Sequence, residues 1–158
     1  MRRQIFATVE GVLRDFPRIV ESLFSREAYL ESIVHSSFNT VPKIGGDASG
    51  ISLTIPERVL DKKINDVEYQ ELLGVVEVLN AAFDFLSPVS YKIISQVYFI
   101  DIMDAEIAAE LDISESWVKK LRIRAVQRLS LSCLKILYVV ERWRNKERKR
   151  QFDLMKLL

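Results

Sequence analysis

The chain has 158 residues, of which 49% are hydrophobic and 28% are charged. Such a composition is typical of folded proteins and excludes a disordered chain. No apolar run reaches the length of about 18 residues that a membrane span needs, and the start, "MRRQIFATVEGVLRDFPRIVE", is too charged for a signal peptide. We therefore expect a cytoplasmic protein, not associated with a membrane, made of one or two compact helical units.

The formal net charge of +1 hides an uneven distribution of charge along the chain. Residues 1–60 contain seven Lys/Arg and seven Asp/Glu, residues 61–112 contain three and eleven, and residues 113–158 contain thirteen and four. A third of the chain with this much positive charge indicates a polyanionic partner. The acidic third would repel that partner and so orient the protein on it. The alternative is that the two blocks neutralise each other inside the fold.

The N-terminal part has the apolar spacing of helices. Asp15 and Pro17 indicate a break and a restart between two apolar stripes with steps of three or four. The stripes are Ile5, Val9, Val12, Leu13 and Phe16, then Ile19, Leu23, Leu30, Ile33 and Val34. The segment "NTVPKIGGDASGISLT" holds three of the five glycines, which predicts a loop over about residues 38–53.

A long helix is predicted to begin after Thr54, because Thr54 and Glu57 have the spacing of a capping box and Pro56 is tolerated in a first turn. It continues through apolar residues at steps of three and four: Tyr69, Leu72, Val76, Leu79, Phe83 and Leu86. Ser87 and Pro88 then predict the start of the next helix. Alternating strands are missing, and "GISLTI", without a partner strand, is interpreted as extended linker. The predicted fold class is all-α.

The stretch "DAEIAAELDISESWVKKL", which begins at Asp104, has the pattern of two helices joined by a short turn. Ala108 lets the helices cross closely, Ile113 fills the corner between them, and Ser114 caps the second helix. The other side chains that face one another are Ile107, Leu111, Val118 and Leu121. This pattern predicts a helix-turn-helix. The alternative is an ordinary αα-hairpin with a solvated basic face.

The outward positions of the second helix follow from its inward ones, which are Val118, Leu121, Ala125 and Leu129. Four side chains are predicted to enter the major groove of double-stranded DNA and read base edges: Glu115, Ser116, Lys119 and Lys120. Phosphate contact is predicted for the helix start and the flanks: Ser114, Trp117, Arg122, Arg124 and Arg128. Trp117 has an equal alternative as a packing residue at a partner surface.

Residues 86–129 resemble the DNA-binding region 4 of bacterial sigma factors. The resemblance rests on "LSPVSYKIISQVYF", "DAEIAAELDIS" and "VKKLRIRAVQRL". It assigns base reading to the four groove-facing positions already described. Two positions depart from the sigma pattern. Glu115-Ser116 replaces the usual Arg then Glu, so no sigma-type promoter element is implied. Asp112 stands where many such turns have Gly, and its short polar side chain tolerates a left-handed conformation.

The whole layout is similar to the ArpU/RinA-like family of phage late transcription regulators, with an N-terminal helical pair, a Gly-containing loop, a long helix and a sigma-region-4-like domain. The resemblance implies a late-gene activator that acts on a promoter or operator in the host-cell cytoplasm, with host RNA polymerase as a partner. It divides the chain into residues 1–85, for packing or self-association, and residues 86–158, for DNA binding. The alternative is a protein-interaction module that uses the helix-turn-helix to bind RNA polymerase or the phage DNA-packaging machinery instead of DNA.

Beyond Leu129 the apolar spacing continues, either as an extension of the same helix or as another helix. The stripe is too wide to stay exposed and is predicted to pack against the N-terminal helices or a second copy; it comprises Leu129, Cys133, Ile136, Val140 and Trp143. We expect a homodimer, since DNA-binding domains gain affinity from two half-sites. The run "RWRNKERKR" is either a second phosphate-contacting surface or a solvated helix end.

Residue types for catalysis are scarce, so we expect no enzyme, no metal site and no cofactor. Cys133 lies among apolar neighbours, and His35 has no companion at metal spacing. The segment "GGDASG" lacks the Lys-Ser/Thr of a phosphate loop. A magnesium site is the weaker alternative to a solvated face for five carboxylates: Asp101, Asp104, Glu106, Glu110 and Asp112.

Overall fold

A computed structural model describes residues 2–40 and 54–157, and the elements in these ranges are helices. In chain order they are α1 (Arg2–Thr40), α2 (Ile55–Asn65), α3 (Val67–Phe83), α4 (Pro88–Ile94), α5 (Asp104–Leu111) and α6 (Glu115–Met155). A π-helical segment, Ser95–Phe99, continues α4. The described ranges contain no strand, and the predicted all-α class is confirmed.

The described chain forms two compact units. Unit 1 combines Met1–Arg18 with Val75–Leu158, and unit 2 is Ile19–Gly74. The first 18 residues therefore belong to the same compact unit as the C-terminal helices. The division predicted from the sequence places them in the region 1–85 instead. Residues 41–53, which make up most of the predicted loop, lie outside the described residues.

Helix α1 runs through Pro17 without the predicted break. A proline inside a helix removes one backbone hydrogen bond, here the one to the carbonyl of Leu13, and strains the preceding turn. Burial of apolar side chains on both sides of the proline, including Phe16 and Ile19, offsets this cost. Asp15 lies within the continuous helix, and its carboxylate accepts a hydrogen bond from Arg144 of α6 instead of capping a new helix. The prediction of a restart at this point was wrong.

The long helix predicted from Thr54 is divided at Asp66, whose backbone is extended, with φ −86° and ψ 108°. Asp66 Oδ1 accepts a hydrogen bond from the backbone N–H of Tyr69 at 2.8 Å, so the side chain caps the start of α3. The same carboxylate accepts two bonds from Arg26, at 3.1 and 2.5 Å. This pair raises the pKa of Arg26, chiefly through the side-chain hydrogen bond. Asp66 therefore ends α2 by capping α3 and pairing with Arg26 of α1. The apolar spacing of the sequence, taken alone, predicts that the helix continues through this residue.

The predicted helix starts at Thr54 and Ser87 are confirmed. The backbone N–H of Thr54 donates to Glu57 Oε2 at 2.6 Å, and α2 begins at the next residue. Ser87 Oγ accepts from the backbone N–H of Ser90 at 3.2 Å, with Pro88 in the first position of α4. Both starts depend on contacts within four residues, so local sequence is sufficient to predict them.

Three aromatic rings hold α1, α3 and the π-helical segment together in unit 1. The ring centroids of Phe16 and Phe83 are 5.4 Å apart, and those of Phe16 and Phe99 are 5.5 Å apart. Phe83 and Phe99 complete the triangle at 5.8 Å. Each helix contributes one ring, so the cluster couples the N-terminal residues of the chain to the helices that precede the turn region.

A polar contact supports the same junction. Tyr98 Oη donates a hydrogen bond to Glu10 Oε1 of α1 at 2.6 Å. Burial raises the pKa of Tyr98 strongly, and the bond to Glu10 raises it further, so the phenol keeps its proton. The guanidinium of Arg14 lies over the Tyr98 ring, 5.3 Å from its centroid. Helix α1 is thus fastened to the π-helical segment by both apolar and polar contacts.

We predict that Phe16→Ala lowers the free energy of unfolding by about 3 kcal/mol, because it leaves a cavity between three helices. Phe24→Ala is the matched control, since Phe24 lies on the same helix with its side chain 63% exposed. This control is expected to change the stability by less than about 0.5 kcal/mol. Urea unfolding followed by circular dichroism measures both. Equal losses for the two variants contradict the role assigned to the aromatic cluster.

Candidate nucleic-acid interface

The turn between α5 and α6 contains only three residues and depends on a left-handed aspartate. Asp112 has φ 54° and ψ 45°, as its position in the turn predicts. Its backbone N–H and that of Ile113 both bond to the carbonyl of Ala108, the latter at 3.1 Å. These bonds satisfy the end of α5 while the chain reverses. The order is helix, short turn, helix.

The inner surfaces of α5 and α6 pack as the spacing predicts. Ile107, Ala108 and Val118 are buried, and Ile113 is half-buried at the corner. Further along α6, Ala125 and Leu129 are buried, whereas Leu121 is half-buried. Val126 is also buried, at the edge of the inner face, although the sequence did not single it out. Its signal was weak, because the neighbouring Ala125 already satisfied the helical spacing.

Ser114 caps α6, so its hydroxyl takes part in a hydrogen bond within the protein. Its Oγ accepts from the backbone N–H of Trp117 at 3.2 Å. The hydroxyls of Ser114 and Ser116 are 3.1 Å apart, within hydrogen-bond distance. The first turn of α6 is fixed by this cap, so the side chains that follow are presented from a stable helix start.

The four predicted base-reading residues lie together and exposed on the first two turns of α6. Lys119 Nζ pairs with Glu115 Oε1 at 2.6 Å, and this bond raises the pKa of Lys119. The two side chains are each about half exposed, so the pair is solvent-screened and of little consequence for stability. Lys120 and Ser116 complete the group. We call these four residues the reading group.

The side chains predicted to contact phosphates do not all behave alike. Trp117 is 43% exposed, with Lys120 and Arg124 lying over its ring at 6.0 and 5.9 Å from the centroid. Arg124 and Arg128 are exposed on the same side of α6. Trp117 is therefore neither a core residue nor an isolated surface ring, but a surface support for two cations.

Arg122 differs from the other predicted phosphate contacts because it has an internal partner. Its Nη2 pairs with Asp104 Oδ2 at 3.2 Å, and the two side chains are only 23% and 10% exposed. Asp104 is the first residue of α5, so this ion pair joins the start of one helix to the second turn of the other. The helical spacing of α6 alone contains no signal for this pairing, which depends on the arrangement of both helices.

The predicted apolar stripe beyond Leu129 belongs to α6 itself, which continues as one helix to Met155. All five stripe residues are buried. The Arg18 guanidinium of α1 lies over the Trp143 ring at 5.6 Å, and Arg144 Nε donates to Asp15 of α1. A Cβ at Gly11 would come within 3.1 Å of Arg144 Nη2, so the Arg144 side chain lies against α1 at this point. Of the two predicted coverings, the N-terminal helix covers this stripe.

Cys133 within that stripe is a structural residue. It is buried, and burial raises the pKa of its thiol to about 12. Because the thiolate is the reactive form, the side chain is inert near neutral pH. This outcome agrees with the structural interpretation of the cysteine from its apolar neighbours.

The outer side of α6 bears a row of cations, which exposed apolar side chains interrupt. Helical spacing places seven Lys/Arg within a narrow sector opposite the buried stripe, at Lys120, Arg124, Arg128, Lys135, Arg142, Lys146 and Lys149. Six of these are exposed and Arg142 is half-buried. Spacing places Glu141 and Glu147 outside this sector. We call this row the basic face; it continues from the reading group toward the end of the helix.

The carboxylates considered for a metal site do not converge. Glu110 pairs with Lys92 at 2.6 Å and accepts from Gln96 at 2.6 Å, and both contacts lower its pKa. Asp104 pairs with Arg122. In the described part of the chain, no cluster of His, Cys, Asp or Glu could hold a metal ion. None of the described helices has an apolar stretch long enough to cross a bilayer.

Comparison of the chain with known families, curated proteins and solved structures finds no match. The resemblances to sigma region 4 and to the ArpU/RinA-like family therefore stay predictions from the sequence.

We predict that Asp104→Asn lowers the free energy of unfolding by about 2 kcal/mol, because Arg122 then keeps a largely buried charge without its partner. Glu106→Gln, on the same turn of α5 but exposed, is the control and is expected to have almost no effect. Thermal and urea unfolding measure both variants. If Asp104→Asn is as stable as the control, the ion pair does not hold α6 on α5.

Proposed function

We propose that the chain is a sequence-specific transcription regulator that binds double-stranded DNA by inserting the start of α6 into the major groove. The observation that carries this proposal is the reading group, four exposed polar side chains on the first two turns of a capped helix that follows a three-residue turn. A single α-helix fits the major groove of B-DNA, where each base pair presents a distinct set of donors and acceptors.

The chemistry of the reading group suits base edges. Lysine donates to the guanine acceptors, glutamate accepts from the cytosine amino group, and serine does either. In the free protein Lys119 is paired with Glu115 at 2.6 Å. On DNA this pair can open at little cost, because both side chains are half exposed and screened by water. Lys120 makes no ion pair with the described residues and is available directly.

Phosphate contact is proposed for Arg124 and Arg128, which lie exposed beside the reading group, and for the free amides at the helix start near Ser114. Trp117 supports this contact through the two cations over its ring. Arg122 is better placed to hold α6 on α5 through Asp104 than to meet a phosphate. It then acts on DNA binding indirectly, by fixing the angle at which α6 is presented.

The wider role is proposed from resemblance in layout to the ArpU/RinA-like family. On that ground the chain activates late genes of a phage, acts as a homodimer on a promoter or operator, and works with host RNA polymerase. The buried α6 stripe is not available for such a dimer, since α1 covers it. A dimer must therefore use another surface.

A second candidate function, a protein-interaction module, is favoured by one observation on α6. Leu131 and Tyr138 are 66% and 71% exposed, and with Leu134 they form an apolar strip between the cations of the basic face. Such a strip at steps of three and four suits a partner helix. In this alternative the helix-turn-helix binds RNA polymerase or the DNA-packaging machinery and does not read DNA.

Two double variants test the proposed function. Lys119→Ala with Lys120→Ala removes half of the reading group, so the preference for target over random DNA is expected to fall by about tenfold or more. Arg148→Ala with Arg150→Ala is the matched control far along the same helix, and it is expected either to weaken both DNAs alike or to leave both unchanged. Target fragments are first selected from a random-sequence pool by the wild-type chain, and affinities are measured by fluorescence anisotropy at several salt concentrations.

If each double variant loses as much affinity for random DNA as for target DNA, base reading by Lys119 and Lys120 is contradicted. Failure of the wild-type chain to bind DNA even at low salt contradicts the proposed function and favours the protein-interaction module.

A further inference from the structure

We propose that unit 1 contains a binding site for a small amphipathic molecule with one negative charge, in a cavity between the start of α1 and α6. The cavity has a volume of about 530 Å³, which lies in the range of small-molecule sites. Residues from Arg3 to Val9 of α1 form one side, and residues from Arg122 to Ser130 of α6 form the other. We call it the α1–α6 cavity.

The apolar part of the ligand is specified by the floor and rim of the cavity. Val9 and Val126 are fully buried and form the floor, whereas Ile5 and Ile123 are partly exposed and form the rim. Phe6 also lines the cavity. The exposed parts of Ile5 and Ile123 remain in contact with water until a ring or alkyl chain covers them. An apolar body of two or three rings is therefore a suitable occupant.

The negative charge of the ligand is specified by two guanidinium groups in the lining. Arg122 is balanced by Asp104, but its buried Nε has no acceptor among the described residues. Arg3 lines the cavity, is exposed to solvent and forms no ion pair with the described residues. Its positive charge is therefore not balanced by a carboxylate of the described residues. The Gln127 side chain adds an amide donor at the side, whereas the Ser130 hydroxyl already donates to the backbone carbonyl of Gln127 at 2.7 Å. One carboxylate or sulfonate satisfies these groups, whereas a neutral apolar ligand leaves the cation without a partner.

The position of the cavity links it to the surface proposed to bind DNA. Ile123 follows Lys119 of the reading group by one helical turn, on the same side of α6. An anion held here adds a negative charge close to the path of the DNA backbone and so opposes DNA binding. This consequence rests on the proposed function, but the binding of the ligand does not.

Two related fluorescent probes test the site on the full chain. Anilinonaphthalene sulfonate is an amphipathic monoanion, and phenylnaphthylamine has the same rings without the sulfonate. We expect the anionic probe to bind with one-to-one stoichiometry and more tightly than the neutral probe. Arg3→Gln is expected to weaken the anionic probe by about threefold, as for a solvent-exposed ion pair, and to leave the neutral probe unchanged. Arg148→Gln is the control for a cation elsewhere and should change neither probe.

Filling the cavity provides a second, independent measurement. Ile123→Trp places a large ring at the rim and is expected to abolish saturable binding of both probes. Leu131→Trp is the matched control, because Leu131 is an exposed apolar residue of α6 that does not line the cavity. Circular dichroism checks that both variants fold. If the probes bind Ile123→Trp as they bind the wild type, or if Leu131→Trp abolishes binding instead, the site lies elsewhere and the proposal is overturned.

The anionic probe is then added to the wild-type chain in the presence of target DNA. A several-fold loss of DNA affinity in the wild type, absent in Ile123→Trp, supports the link between cavity and groove. If the probe binds but does not change the affinity for DNA, the ligand site is supported and its link to the groove is overturned. Probe binding by a chain that does not bind DNA at all contradicts the proposed function and leaves the ligand site standing.

Discussion

Burial of one face of α6 is the constraint on which the rest of the structure depends. A stripe from Val118 to Trp143 is buried along nearly the whole helix, against α4 and α5 and, near Trp143, against α1. A helix whose inner face is fixed at both ends cannot rotate about its axis without exposing that stripe to water. Its outer face is therefore determined as well. The reading group and the basic face both follow from this one packing arrangement.

The ion pairs of the structure connect the acidic and basic thirds of the chain to each other and to the rest of the molecule. Two residues of the basic third pair with acidic residues of other parts of the chain: Arg122 pairs with Asp104, and Arg144 pairs with Asp15. Some acidic residues of the middle third pair with cations from outside the basic third: Glu110 pairs with Lys92, and Asp66 pairs with Arg26. The cations of the basic face remain on the surface, where a polyanion can reach them.

Features set by neighbours in the sequence were predictable, and features set by distant residues were not. The capping box at Thr54, the Ser87 cap and the left-handed Asp112 each depend on a few adjacent residues, and each occurs as expected. The continuity of α1 through Pro17 depends on packing, and the break at Asp66 combines a local cap of α3 with an ion pair to the distant Arg26. The same division applies to the candidate site. Helical spacing located the reading group on the surface, but only the fold shows that Arg122 is held by Asp104.

Helix α6 extends for 41 residues, and its sequence contains neither proline nor glycine. At 1.5 Å per residue it is a rod of about 60 Å without a hinge. Residues near its middle touch α1, and residues at its start form the reading group, so both regions belong to one stiff body. A small tilt imposed on the rod near Trp143 therefore changes the angle of the whole helix start. Helix α1, far away in sequence, therefore contacts the same stiff helix whose start carries the reading group.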